Sequence, residues 1–499
     1  MEDPSPPYQK IRDRATQLYH LESTKGLLRW DQEVMMPSGG TPSRSKQLST
    51  VSALAHEQLT DDALGRWLSD LSRSSLSAEQ RAVIREVERE RERAVQVPQS
   101  LIEELSETAS AAFEAWHEAK DRDDFDHFAP SLSKLVELRR EYANHIDPDD
   151  DPYAVLFEEY EPYLPLHTVE DIFDTLRPAL VELIDDIAGR PDPDPTSLRD
   201  GTYPPERQER FVRRLLDALG FDWDRGRLDT SPHPFSTGTP YDARITTRFS
   251  ETDLLDGSMS TIHEFGHALY TLGLPTEHFG TPLARPRDLT VHESQSRLWE
   301  NHIGRSRGFW DQALPIAADE FPRLEGVTPA AAYRAVNRVH DDNPIRVEAD
   351  ELTYHLHIIL RFEIERALIA GDLSVESIPA VWNEKMEEYL GIRPDTDARG
   401  CLQDVHWSHG NFGYFPTYTL GSVLAAQLFD TLEDAVGPTN EAIRSGNFDP
   451  IHSWLGEHVH RHGSLYTTPE LIETATGRSL EATPFLTHVT EKYRSLYAV

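Results

Sequence analysis

Residues 258–273 read SMSTIHEFGHALYTLG, and the fold and chemistry of the chain turn on them. The stretch predicts one amphipathic helix. At 100° per residue, His263 and His267 stand about 40° apart on one face, and Glu264 sits about 60° beyond His267. Two imidazoles on that face can share a metal ion while the carboxylate reaches a water on the same ion, which is the logic of the HExxH pattern. Gly273 and Pro275 supply a helix stop just beyond it. The plainer reading, an ordinary helix carrying solvated His and Glu, has to be decided by context.

A catalytic metal site needs three protein ligands and an open position, so a third ligand is expected from a later helix. The stretch HESQSRLWE at 292–300 offers Glu293, 26 residues after His267. That gap accommodates a helix end, a loop and a returning helix. Arg297, one turn further on, is placed to orient a carboxylate. His292, Cys401, Asp404 and His406 compete for the same role. With His263, His267 and Glu293 as ligands, the ion keeps enough positive charge to lower the pKa of a bound water, and Glu264 is then the general base.

Upstream, SPHPFSTGTPYDARITTRF at 231–249 changes character from the rest of the chain. Its run from Arg244 to Phe249 alternates and is rich in β-branched residues, so it predicts a strand. Ile245, Thr247 and Phe249 are expected to face inward, and Arg244, Thr246 and Arg248 outward. An edge strand beside the 258–273 helix is suited to pairing with an extended peptide. The rival reading is a structural strand whose arginines pair with an acidic surface.

That surface follows from composition. The 499 residues carry 86 acidic and 49 basic side chains, for a formal charge of −37, and only seven of the basic residues are lysine. Such charge repels nucleic acid phosphates and anionic membranes, which argues against both as partners. Self-repulsion of this size is relieved by salt, so a salt-loving source is expected. Cys401 is the sole cysteine, which permits no internal disulfide and fits a reducing compartment. The opening residues lack a basic n-region and an apolar h-region, and no 18-residue apolar run occurs, so a cytoplasmic location is expected.

Elsewhere the chain reads as helix. Residues 81–95 place Ile84, Val87 and Val95 amid alternating Arg and Glu, a buried stripe with charged flanks. Pro98 ends that helix, and Ser100 with Glu103 predicts a capping box for the next, along which Leu105, Ala109, Ala112 and Trp116 recur. The acidic stretches 147–152 and 190–195 lack the glycine and closing glutamate of a calcium loop and are expected to be solvated loops. No fixed-period repeat occurs. One domain spanning 1–499 is expected, with an N-terminal helical region to about 230, a catalytic core over about 231–420 and C-terminal helices over about 421–499.

Seven stretches, in order along the chain, resemble one family: WDQEVMMPSGG at 30–40, HPF at 233–235, DARITTR at 242–248, HEFGH at 263–267, HESQSR at 292–297, IRVEAD at 345–350 and GCLQDVHW at 400–407. Together they are similar to the carboxypeptidase Taq family of thermostable metallocarboxypeptidases. The resemblance implies a mainly α-helical, two-lobed body with a deep central groove and a small β-sheet beside the metal, as in neurolysin and angiotensin-converting enzyme. It also implies a homodimer, a zinc or cobalt ion, and release of single residues from peptide C-termini with broad side-chain tolerance. Carried onto this sequence, it makes His263, His267 and Glu293 the metal ligands and Glu264 the base. It implicates Arg346 in gripping the terminal carboxylate, and it brings along Gln403, Asp404 and His406.

A carboxypeptidase needs a fixed cation one residue beyond the scissile bond, and arginine binds a carboxylate bidentately. Arg346 fits, with Arg244 and Arg248 as rivals; a structural pair of Arg346 with Glu348 or Asp350 is the competing account. The oxyanion needs a donor besides the metal, for which neutral His406 and Tyr418 are the candidates and Tyr414 the alternative. The expected activity is metal-dependent removal of C-terminal residues. Alternatives are an oligopeptidase or dipeptidyl carboxypeptidase on the same scaffold, or a non-catalytic helical binding protein with structural zinc.

Overall fold

The computed structural model describes residues 6–499 except 74–75, 192, 194–197, 200 and 341. It is helical from Pro6 to Tyr497, broken by one three-stranded sheet. Two hydrophobic cores hold it together. A small one joins the N-terminal helices through Tyr8, Ile11, Leu64, Leu68, Ile84 and Val87 and is closed by Leu283. The large one runs continuously from Val97 to Tyr493 and includes Phe265, Trp299, Leu360 and Leu420. Each fully buried side chain of that size contributes roughly 1.5–3 kcal/mol. The helix Pro416–Val436 runs straight through residue 420, where the sequence suggested a change of region. Among the described residues, no helix is long and apolar enough to cross a membrane.

Strands β1 (Gly226–Thr230), β2 (Ser236–Thr239) and β3 (Asp242–Thr247) lie in the order β1-β3-β2. β3 is parallel to β1, with Leu228 opposite Ile245, and antiparallel to β2, with Thr237 opposite Arg244. The predicted strand exists, but two expectations about it fail. It is the central strand, paired on both sides, so its main chain has no free edge for a peptide. Thr246 is also buried, because its hydroxyl is consumed by the Phe235 backbone N–H at 2.9 Å and the Ser231 hydroxyl at 2.7 Å. A polar residue on the supposedly outer face is thereby satisfied inside. Between β2 and the Pro6–Val34 helix opens a cleft of about 410 Å³, lined by Tyr19, Leu27, Thr237 and Arg244 among others.

The helix over Leu254–Gly273 starts where Asp253 accepts a hydrogen bond from the Leu255 N–H at 2.8 Å, and it ends at Gly273 as predicted. Two charge-rich helices differ in detail from expectation. Ala78–Gln96 buries Val83, Ile84 and Val87 but leaves Val95 48% exposed, because the buried stripe ends before the last turn. Ser77 and Gln80 form its capping box. The following helix begins at Gln99 directly after Pro98, so Ser100 is already inside it and caps nothing. The 147–151 stretch is an exposed loop, and within 190–195 residues 192, 194 and 195 lie outside the described residues.

Candidate metal centre and its surroundings

The 254–273 helix presents His263 and His267, and the helix Leu289–Arg297 returns alongside it to bring Glu293 between them. Gly266, inside the HEFGH stretch, makes this approach possible. A β-carbon there would stand 2.5 Å from the Gln295 carbonyl oxygen, so the two helix backbones touch where a side chain would keep them apart. Glu293 Oε2 lies 3.6 Å from His263 Nε2 and 3.5 Å from His267 Nε2. Those separations are close to the edge of a tetrahedron with metal–ligand bonds of about 2.0–2.1 Å.

The remaining atoms of these residues are held. His263 Nδ1–H donates to Glu300 Oε2 at 2.9 Å and His267 Nδ1–H to the His292 carbonyl at 3.0 Å, which turns both Nε2 lone pairs toward the shared point. Glu293 Oε1 accepts from Arg297 Nε at 2.7 Å, and its Oε2 accepts from the Ser296 hydroxyl at 3.0 Å. Burial pushes the Glu293 carboxyl up, but Arg297 and the two imidazoles pull it well below the usual range, so it is an anion ready to ligate. Among the described residues these three form the group able to hold a metal ion. Two imidazoles, one carboxylate and fixed partners behind each fit a divalent cation.

Glu264 stands beside this group, almost entirely buried, and its Oε2 has no hydrogen-bond partner. Burial raises its pKa, the two imidazoles opposing. A buried, unpaired carboxylate oxygen is costly unless a ligand or water uses it.

Glu300 is absent from the sequence candidates. It lies seven residues after Glu293, hence on the same helix face, and that spacing is the signal that could have found it. After Arg297 the helix widens over Leu298–Gly304 into a π-helix, whose Arg305 N–H reaches back five residues to the Glu300 carbonyl at 2.9 Å. Arg297 and Arg305 then hold the Glu300 side chain, at 3.1 Å each.

Arg346 is buried, and its partner is neither Glu348 nor Asp350. It makes two hydrogen bonds to Asp404 Oδ1, at 3.0 and 2.7 Å, and a third to the Tyr354 hydroxyl at 3.1 Å. Arg361, also absent from the sequence candidates, takes the other oxygen of Asp404 at 2.7 Å. One carboxylate thus serves two guanidinium groups. Burial and the neighbouring cation pull Arg361 down to about 10, Asp404 opposing. Gln403 accepts from the Arg346 backbone N–H at 2.8 Å and donates to the Pro344 carbonyl at 3.0 Å. The polar atoms of Gln403 and Asp404, which the family resemblance brought along as candidates for substrate binding, are engaged with Arg346, Arg361 and the loop at Pro344. Tyr354 connects this group to the metal side, since Arg297 lies 4.9 Å over its ring.

The rival cations are engaged elsewhere. Arg244 pairs with Asp242 at 2.8 Å and stacks 4.2 Å over Trp30, and Arg248 pairs with Asp256 at 3.0 Å. His292 lends only its carbonyl, and Cys401 is a buried free thiol whose pKa burial pushes up. His406 Nε2 lies 3.3 Å from the Tyr418 hydroxyl, and burial pulls the imidazole down to about 4, so it is neutral at neutral pH. Tyr414 packs on Tyr418 with ring centroids 5.4 Å apart, and Arg346 lies 5.3 Å over the Tyr418 ring. His263, Glu264 and His267 share one helix, while Glu293, Arg346 and Tyr418 come from three other elements.

A helical body with an HExxH helix, a returning glutamate and a free carboxylate beside them defines a metallopeptidase. Residues 10–493 match the family described as Carboxypeptidase Taq (M32) metallopeptidase, and the chain belongs to it. It is 40% identical to "Thermostable carboxypeptidase 1" of Thermus thermophilus, over 99% of each chain, and 34% identical to "Carboxypeptidase 1" of Bacillus subtilis, over 97% of each. Among solved structures it is similar to the M32 carboxypeptidase of Deinococcus radiodurans R1, with a TM-score of 0.96, 39% identity and coverage of 99% of this chain and 100% of that one. The protein is a metallocarboxypeptidase.

Proposed function

We propose that this enzyme removes single residues from peptide C-termini with broad side-chain tolerance, using zinc, with cobalt able to replace it, held by His263, His267 and Glu293. The observation that carries the reading is the free, buried Oε2 of Glu264 beside that three-donor group. A divalent ion bound there supplies Lewis acidity for the scissile carbonyl and for water. Glu264 accepts the proton of the attacking water and returns it to the leaving amine nitrogen. Its raised pKa, set by burial, makes the carboxylate a stronger base than a solvated one. The Tyr418 hydroxyl and neutral His406 donate to the oxygen that gains negative charge. Burial keeps Tyr418 a phenol, so it has a proton to donate.

Arg346 is the cation that reads the terminal carboxylate. Two guanidinium groups against one aspartate leave a net positive charge in this buried cluster, and an incoming carboxylate neutralises it. Arg244 and Arg248, each with its own acidic partner, are assigned to the sheet surface rather than to substrate. The acidic charge of −37 supports a salt-adapted enzyme, the single cysteine fits a reducing, cytoplasmic setting, and the family resemblance supports a homodimer. Timed digestion of mixed peptides by the zinc- and cobalt-loaded enzyme, read by mass spectrometry, tests the activity. Stepwise loss of single C-terminal residues is expected. Internal cleavage, or removal of pairs, overturns the assignment.

A further inference from the structure

The loop that carries His406 and leads into Tyr418 is fastened at two points to one buried carboxylate that none of the motifs contains. Glu365 lies on the helix Tyr354–Ala370 and is fully buried. Its Oε1 accepts the Trp407 indole N–H at 2.8 Å, and its Oε2 accepts the Gly413 backbone N–H at 3.0 Å. The Tyr153 hydroxyl, from the helix Pro152–Phe157, donates to Oε2 at 2.9 Å. The two loop donors flank the turn: Trp407 follows His406 directly, and Gly413 precedes Tyr414. Gly413 has φ +86°, and a β-carbon there would meet the Phe157 backbone nitrogen at 2.7 Å, so the loop is pressed against the protein body where Glu365 grips it. The His406 ring has no partner at Nδ1; it is held by Nε2 against the Tyr418 hydroxyl at 3.3 Å and by packing on Phe415.

We infer that Glu365 is a positioning residue for the oxyanion donors, closing the 407–413 loop so that His406 and Tyr418 meet the reacting carbonyl. The inference rests on the roles given above to His406 and Tyr418. A carboxylate suits the task because it accepts from three donors at once, whereas an amide of the same shape turns an N–H against one of them. Burial nevertheless pushes the Glu365 carboxyl up to about 7, against the pull of all three donors, so the fold retains it at a cost to its charged form. Misplacing a catalytic group by an ångström from a distance costs up to about 100-fold in rate.

The test uses the metal-loaded enzyme on a peptide substrate. Glu365→Gln is expected to lower kcat by about 10–100-fold while KM and metal affinity, read by chelator competition, stay within about threefold. Trp407→Phe, which removes one loop donor and leaves the carboxylate, is expected to lower kcat in the same way and serves if the first variant does not fold. Tyr153→Phe removes the one donor outside the loop, so it is expected to lower the melting temperature without lowering kcat. A merely structural Glu365 makes all three variants alike, and that result overturns the inference. His406→Ala separates the two layers. If it lowers kcat and Glu365→Gln adds little in its background, the inference stands. Two losses that multiply in full leave the role of His406 intact and overturn that of Glu365. An unchanged kcat in His406→Ala removes the role of His406 itself, and the inference with it.

Discussion

Gly421 and Glu293 are packed so closely that a β-carbon at residue 421 would stand 2.5 Å from Glu293 Cγ. The Pro416–Val436 helix therefore forms the back wall of the candidate metal site, and glycine sets where Glu293 rests. Gly421→Ala forces either the helix or the glutamate to move, at about 1–3 kcal/mol. The expected outcome is a lower melting temperature together with metal affinity reduced by about 10-fold or more, read by chelator competition. Unchanged metal affinity in a folded variant removes the link between the wall and the ligand.

Glu264→Gln preserves shape and burial but has no basic oxygen anion. Loss of a general base costs about 100- to 10,000-fold in kcat, with metal affinity unchanged because Glu264 is not in the ligand set. Steady-state kinetics and metal titration of the same variant decide it; activity near that of the parent sinks the role.

Arg346→Gln removes the cation proposed to read the substrate terminus but leaves Asp404 paired with Arg361. KM for peptides with a free C-terminus is expected to rise by about 10-fold or more, since a charge-assisted hydrogen bond is worth about 1.5–3 kcal/mol. C-terminally amidated peptides are expected to be poor substrates for both enzymes. Ready cleavage of an amidated peptide by the parent points to an internal cutter. Asp404→Asn leaves two buried guanidinium groups without an anion, so a loss of about 3–5 kcal/mol is expected in denaturant unfolding.

Acid is expected to destabilise the fold. Burial holds His302, His355, His357, His406 and His460 neutral, with His406 lowered to about 4 and His355 and His460 to about 3. The unfolded chain takes up these protons near pH 6.5, and the folded protein does not. Between pH 6.5 and 4 the unfolded state binds more protons, so stability falls as pH falls, by about 1.4 kcal/mol per pH unit for each histidine. Glu161, Glu264 and Glu365, raised by burial, act in the opposite sense above about pH 4.5 and flatten the curve. Denaturant midpoints at pH 7 and pH 5 measure the balance, and a higher midpoint at pH 5 contradicts it.

A charge of −37 also predicts a melting temperature that rises with potassium chloride from 0.1 M toward about 2 M as self-repulsion is screened. A melting temperature indifferent to salt removes the case for a salt-adapted enzyme.

The three-donor group was legible because helical spacing converts directly into a shared face, as for His263 and His267, and because Glu293 with Arg297 repeats the same rule one element later. Membership of the sheet was legible for Ile245 and not for Thr246. A strand's alternation says which side chains oppose each other, while the Ser231 and Phe235 groups that satisfy the Thr246 hydroxyl come from a loop with no fixed spacing. Asp404 as the partner of Arg346 was illegible for the same reason: 58 residues separate them, and nearer carboxylates at Glu348 and Asp350 matched the charge equally well. Gly266 and Gly421 are invisible as packing residues until the second helix is in place.

The widened turn over Leu298–Gly304 makes the chain length here as binding as the residue types. Its backbone bonds reach back five residues instead of four, so the segment holds one residue more than the α-helix it continues. Excising a single residue between 298 and 304 removes that extra residue, so the wide turn has to close to an ordinary α-helical one. The backbone bond from the Arg305 N–H to the Glu300 carbonyl is lost in that closure, and the brace that Arg305 gives Glu300 beside His263 has to re-form in a tighter turn. The number of residues in this turn is therefore as much a part of the site as their identity.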